Sequence, residues 1–290
     1  TMSRSIYRPI SKITKTAKKY AKGDFTAQID VHSNDEIGYL ANTLNYMATE
    51  LDTLEEDQRK FVSNVSHDFR SPLTSIKGYV EAMLDGTIGP EDMPRYLQIV
   101  EDETDRLTDL VRDLLDMSRF ESGKFPLQIA PFDANEMIRR ILINFEPRIE
   151  KKRIDVQVSF DADSRWASGD ANRVNQVLSN FIDNALKFMD DGGTLTVTTR
   201  LTGKNVLFAV KNDGAVISEK DLPHIFERFY KADKAHTSGM GTGLGLAICK
   251  MILQEHGAEI KVHSLPGDTE FSFELPACAA PEPAKGAKED

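Results

Sequence analysis

The chain lacks the ~18-residue apolar run that a membrane-spanning helix needs, and its start lacks the basic-then-apolar layout of a signal peptide. No membrane span is therefore expected within these residues. Thr1 precedes Met2, so the natural chain is expected to continue upstream. Only two cysteines occur, Cys249 and Cys278, too few for a disulfide scaffold and without metal-ligand spacing, which suits a reducing compartment. Basic residues are outnumbered 36 to 46, and the net charge of -10 excludes a general nucleic-acid surface. What is present is a folded composition, 40% hydrophobic and 28% charged over 290 residues, enough for two or three modules.

The first half reads as helical. Ile10, Ile13, Ala17 and Tyr20 mark a short helix after Pro9 that stops near Gly23. An extended connector, "GDFTAQIDVHSNDEIG", leads to a second helix whose positive end Asp35 and Glu36 favour. Along it, Leu40, Leu44, Met47, Leu51, Leu54, Gln58, Phe61 and Val65 alternate steps of four and three, an a/d seam with one polar interruption. The plain alternative is one amphipathic helix packed on its own domain. Helix, connector and helix, with Pro9 and "DEIG", resemble a HAMP signal-relay module over residues 1–55.

The helix continues to about residue 84, "DGTIGPEDMP" breaks it, and "RYLQIVEDETDRLTDLVRDLLDMSRFES" resumes it. The second arm carries Leu97, Val100, Leu107, Leu110, Leu114 and Met117 on one face, more apolar surface than two helices cover. Two such hairpins pairing as a four-helix bundle would bury it, so a homodimer is expected.

Within the first arm, "SHDFRSPLT" places His67 before Asp68 and five residues before Pro72. Pro72 donates no hydrogen bond to the Asp68 carbonyl and crowds it, so a bend is expected just after His67. Asp68 can hold one imidazole nitrogen and leave the other nucleophilic. The stretch resembles the phosphoacceptor box of sensor histidine kinases. That resemblance implies His67 as phosphoacceptor and Asp68 as its hydrogen-bonding base, with Arg70 a further cation near phosphate. Ser71 stands where phosphatase-competent members carry Thr or Asn, and Pro72 is a candidate switching hinge.

From residue 124 the periodicity turns to mixed helix and strand, with strands expected at 154–160, 193–200, 205–210 and 270–275. The intervals fit an α/β sandwich with helices on one sheet face. Asn180, Asn184 and Lys187 fall on one face of the helix "ANRVNQVLSNFIDNALKFM", where amide oxygens can ligate Mg²⁺ beside a phosphate-neutralising lysine. "GMGTGLGLAICK" supplies glycines at 239, 241, 243 and 245 before a helix, a place for an anion that is neither a Rossmann nor a Walker loop. A capped surface helix and a ligand-free hinge are the plain alternatives for these two segments.

Together "NFIDNALKF", "FERFYK" and "GTGLGL" resemble the N, F and G2 boxes of the ATP-binding domain shared by histidine kinases, gyrase-type topoisomerases, Hsp90-type chaperones and MutL-type repair proteins. The resemblance implies Mg²⁺ at Asn184 with Asn180 nearby, Lys187 near phosphate and Phe188 against the nucleotide. Gly241, Thr242, Gly243, Leu244 and Gly245 would shape the loop around the triphosphate, at the hinge that follows a lid between Phe229 and Gly241. One box departs: "NDGAV" has Asn212 at the acidic position, followed by Gly214, and Val216 at the second glycine. Strand alternation puts Asn212 on the face of Val206, Phe208 and Val210, so it rather than Asp213 is expected to meet the base. A neutral acceptor there costs on the order of 1 kcal/mol of ATP binding.

The organisation implied is a HAMP module at 1–55, a dimerisation and histidine-phosphotransfer hairpin at 56–123, a catalytic ATP-binding domain at 124–277 and a disordered tail at 278–290. The function implied is a kinase that phosphorylates His67 from Mg-ATP and passes the group to an aspartate of a response-regulator receiver domain, from the cytoplasmic portion of a bacterial membrane protein. A chaperone or topoisomerase would carry glutamate at the Asn180 position and no His-Asp box. A dimeric scaffold or phosphatase-only protein with a weakened kinase site is the other alternative.

Overall fold

The computed structural model describes residues 6–121, 126–232 and 241–281. The chain divides into two units, Thr1–Thr74 and Ser75–Asp290.

In the first unit Pro9 occupies the opening turn of α1 (Arg8–Tyr20), where its missing N–H has no helical partner to lose. Gly23, at φ +84°, turns the chain out after the helix. Residues 24–35 carry no regular structure until Asp35, whose carboxylate accepts the N–H groups of Ile37 (3.0 Å) and Gly38 (3.2 Å) and caps α2 (Glu36–Leu84). Gly38 lies against the connector so closely that a Cβ would collide with the Ser33 carbonyl. That contact is the physical need for the glycine of "DEIG".

The unit's core gathers Ile13 and Tyr20 from α1, Ile29 from the connector, and Ala41 and Ala48 from α2. Asn45 ties the three together. Its Oδ1 accepts the Ile29 N–H (2.8 Å) and the Tyr20 hydroxyl (3.1 Å), while its Nδ2 donates to the Ile29 carbonyl (3.1 Å). Beside this inward face the heptad positions Leu40, Met47 and Leu54 stay 47%, 45% and 66% exposed. The helix therefore has one apolar face for its own unit and a second that its own chain leaves uncovered. α2 runs through Pro72 as unbroken helix, with the proline buried.

In the second unit α2 ends at Leu84, Gly86 turns at φ +79°, and α3 (Met93–Glu121) forms the return arm. Tyr79 and Tyr96 meet across the hairpin with ring centres 5.3 Å apart. There follow β1 (Ala130–Asp133), α4 (Ala134–Lys152), β2 (Asp155–Phe160), β3 (Trp166–Gly169), α5 (Ala171–Phe188), β4 (Thr194–Thr202), β5 (Asn205–Asn212), α6 (Gly245–Glu255), β6 (Lys261–Leu265) and β7 (Asp268–Pro276). The four expected strands are present as β2, β4, β5 and β7. The main sheet has the order β2-β4-β5-β7-β6, with β2 parallel to β4 and the rest antiparallel, while β1 and β3 form a separate antiparallel pair.

α4 and α5 pack on the sheet and α6 packs on α5, which gives the expected α/β sandwich. Between the layers Phe208 and Phe273 stack at 4.8 Å, and Phe181 of α5 reaches Phe271 at 5.3 Å. Each such buried ring contributes about 2–3 kcal/mol. Asp133 and Asp170 cap α4 and α5 through the N–H groups two and three residues on. These caps fix where the N-box helix begins, and hence which of its side chains face the loop before α6.

Candidate active site

His67 stands on α2 with its side chain 80% exposed, while Asp68 is only 13% exposed. The two are 3.3 Å apart, His67 Nδ1 to Asp68 Oδ1. A carboxylate can only accept, so in the neutral imidazole this geometry favours the tautomer with its proton on Nδ1 and a lone pair on Nε2. Ser71 and Arg70 are exposed one turn further on. The Arg70 carbonyl accepts the Thr74 hydroxyl (2.8 Å), a side-chain bond close to the position where Pro72 withholds an N–H.

The N-box side chains emerge from α5 toward the start of α6. Asn180 donates Nδ2–H to the Cys249 sulfur (3.5 Å), and its Oδ1 lies 3.3 Å from where a Cβ on Gly245 would stand. Asn184, one turn on, is half-buried and has no side-chain hydrogen-bond partner among the described residues. Lys187 pairs with Asp183, which also holds Arg148 (2.6 Å), and Lys187 Nζ lies 3.4 Å from the Cβ position of Gly241. The ring of Phe188 is 44% exposed. The structure thus gathers Asn180, Lys187, Gly241 and Gly245 into one locality.

The loop before α6 is shaped by its glycines. Gly241 and Gly243 have φ of +88° and +71°, and a Cβ on Gly243 would come within 2.8 Å of the Phe229 backbone. Phe229 donates its N–H to the Gly243 carbonyl (2.9 Å), so the F box and the G2 box are joined through backbone. Leu244 is fully buried and anchors the helix start. The lid residues 233–240, Gly239 among them, lie outside the described residues, as do 282–290 of the tail.

Asn212 ends β5 and is 5% exposed, on the face of Val206, Phe208 and Val210 as alternation requires. Oriented to satisfy its neighbours, its amide donates to the Thr269 carbonyl (3.3 Å) and accepts the Gly214 N–H (3.1 Å). Asp213 turns away, and its carboxylate accepts the Thr194 N–H (2.8 Å). Gly214 approaches the Phe188 carbonyl so closely that a Cβ would stand 2.5 Å from it. Val216 is 49% exposed, where the second glycine of the box is missing.

Two contacts to α3 have no signal in local sequence. The Thr242 hydroxyl accepts the Leu244 N–H (3.2 Å) and donates to Asp113 (3.2 Å). Burial pushes the Asp113 carboxyl up to about 6; Thr242 opposes the rise, whereas Asp109 and Asp116 add to it. Asp116, buried, accepts from Arg173 and Gln176 at 3.0 Å each. Arg173, at the start of the N-box helix, is thus a tie between α3 and α5.

A hard divalent cation needs oxygen donors. Among the described residues no three His, Cys, Asp or Glu side chains come together to hold a metal. The available oxygens are the neutral amides of Asn180 and Asn184, beside a lysine. That donor set fits a cation that arrives with its own phosphate ligands rather than one held by a protein cage.

Three family models match the chain: a HAMP domain at 1–53, a His Kinase A (phospho-acceptor) domain at 57–123, and a histidine kinase-, DNA gyrase B-, and HSP90-like ATPase at 169–279. The chain is 36% identical to the sensor histidine kinase WalK of Bacillus subtilis (strain 168), over 80% of this chain and 38% of WalK. It is 31% identical to the signal transduction histidine-protein kinase BaeS of Escherichia coli (strain K12), over 95% of this chain and 59% of BaeS. It therefore spans about two fifths to three fifths of the length of these relatives. A solved structure of the histidine kinase ThkA in complex with the response regulator TrrA superposes with a TM-score of 0.62 at 29% identity, over 76% of this chain and 61% of that one.

Proposed function

Because the chain belongs to the sensor histidine kinases, we propose that it transfers the γ-phosphoryl group of ATP to His67 and then to an aspartate of a response-regulator receiver domain. The observation that carries this is the His67–Asp68 pair on an exposed helix face, in a chain that also holds the N, F and G2 boxes. His67 Nε2 attacks the γ-phosphorus, the bond from that phosphorus to the β,γ-bridging oxygen breaks, and ADP leaves. The Nδ1 proton passes to Asp68, so the ring of the phosphohistidine is left neutral while the phosphoryl group keeps its negative charge. In the second step the P–N bond breaks as the receiver carboxylate takes the phosphoryl group. The relative solved with its response regulator supports that partner.

ATP is held, in this reading, by Asn180, Asn184, Lys187, Phe188, Asn212, Gly214 and the loop Gly241, Thr242, Gly243, Leu244 and Gly245. Asn184 and Asn180 would hold Mg²⁺, which offsets charge on the transferring phosphate when bound. Lys187 neutralises phosphate beside Gly241, and Phe188 offers its exposed ring to the base. Asn212 retains one lone pair on Oδ1 for the adenine amino group after accepting Gly214 N–H. Ser71, exposed one turn beyond His67, can orient a water against a phosphorylated partner, and Pro72 is the hinge at which α2 responds to the HAMP domain.

The apolar residues that the chain leaves uncovered on α2 and α3, including Leu73, Leu84, Leu97 and Leu115, support a homodimer in which a second copy covers them. The HAMP domain and the relatives support a bacterial protein tethered at the membrane by sequence outside these residues, with this portion in the cytoplasm. No helix among the described residues is long and apolar enough to cross a membrane.

The altered box at Asn212 and Val216 favours one second reading, a scaffold or phosphatase-only protein with a weakened kinase site. Incubation with Mg²⁺ and γ-labelled ATP decides between them. Acid-labile, alkali-stable label that disappears in His67→Gln is the expected result; nucleotide binding without label in either protein selects the second reading.

A further inference from the structure

Cys249, on α6, is fully buried and takes no part in the chemistry above. We infer that it is a positioning residue: its thiol fixes the amide of Asn180 so that Oδ1, not Nδ2, faces Gly245 and the phosphate side of the site. This rests on the proposed role of Asn180 toward the metal.

Three contacts carry the inference. Asn180 Nδ2 donates to the sulfur at 3.5 Å, and the thiol in turn points its own proton at the Val177 carbonyl, 3.9 Å away. Asn180 Oδ1 then becomes the nearer amide atom to Gly245, at 3.3 Å against 3.7 Å for Nδ2, measured to the place a Cβ would occupy. The direction of this relay follows from the geometry: a thiol has one proton, which lies toward the Val177 carbonyl, and its sulfur lone pairs are left to accept the amide N–H.

With the amide turned over, Oδ1 would face a sulfur whose only proton is already aimed at Val177. The site would meanwhile be offered a donor where a cation requires an acceptor. Val177 and Asn180 are both on α5, so the thiol also keeps the start of α6 in register with the N box. A packing role alone would be filled by any small apolar side chain. Orientation requires a group that both accepts and donates, and serine supplies one where valine does not.

The test uses the full chain as Cys249→Val, Cys249→Ala, Cys249→Ser and Asn180→Ala. ATP affinity is titrated with Mg²⁺ and again with EDTA, and the side-chain amide resonances of Asn180 are followed by NMR without nucleotide. The valine and alanine variants are expected to bind ATP about three- to tenfold more weakly in Mg²⁺, to stay within about twofold in EDTA, and to shift the amide resonances. Cys249→Ser is expected to keep both properties. Wild-type Mg²⁺ dependence and amide resonances in Cys249→Val, or equal damage in valine and serine, would overturn the inference. If Asn180→Ala leaves the Mg²⁺ effect intact, the metal role of Asn180 falls. The amide resonances of the valine variant then still decide whether Cys249 orients that side chain.

Discussion

Seven of the 18 residues of α5 are buried by their own chain, against four of the 49 in α2. One helix is the centre of a domain; the other is almost bare. α5 lies between the sheet and α6, so its side chains are fixed and its amides can be aimed. α2 carries His67, the proposed nucleophile, on a helix that its own chain scarcely covers, which leaves that side chain open to approach. Binding a nucleotide asks for a rigid, dry cradle, whereas offering a nucleophile to successive partners asks for access. The two helices divide those demands.

The difference can be broken at the buried end first. Phe208→Ala removes a ring stacked on Phe273 and should destabilise the sheet domain by about 3–5 kcal/mol, read by denaturant unfolding of the domain signal. A loss under about 1 kcal/mol would mean that the core is looser than its stacking indicates.

Asp113→Asn comes next, with a sign set by protonation. The carboxyl is raised by burial from 3.8 to about 6, so its protonated form is favoured on folding. Stability from this group is complete below about pH 4 and is lost as the pH rises through about 6. An asparagine should therefore gain about 2 kcal/mol over wild type at pH 8, after discounting for partial exposure, and converge with it near pH 4. Parallel thermal unfolding curves across that range, without convergence, would contradict the burial of Asp113 between α3 and the loop.

The smallest effect is the most informative about α2. Leu54, 66% exposed, should lose under about 0.5 kcal/mol on substitution by alanine in dilute protein. A deficit that grows with protein concentration is expected if a second copy covers the seam. The same deficit at every dilution would show that Leu54 is held by its own chain.

The features legible in the sequence are those written in local spacing. Asn180, Asn184 and Lys187 share a helix face because 3.6 residues make a turn, and Gly241 and Gly243 take the positive φ that glycine readily adopts. Alternation alone placed Asn212 inward and left Asp213 to turn aside. What stayed hidden joins distant positions. Thr242 reaches Asp113 across 129 residues and Arg173 reaches Asp116 across 57, and no periodicity encodes such pairs. β1 has no local signature, since four residues beginning Ala-Pro are too short to alternate and their partner β3 lies beyond a whole helix. Cys249 is equally silent, because a cysteine inside an apolar helix stretch carries no sign of the amide it meets.

Asn45 has a mechanical consequence. One side chain holds a helix, a connector and a second helix through bonds of 2.8–3.1 Å, none of which can stretch far and survive. Moving α2 along its axis by one residue, about 1.5 Å, would carry these contacts out of range together. The clasp thus behaves as a detent: small pushes are absorbed and returned, while a push large enough to release it lets all three segments go at once.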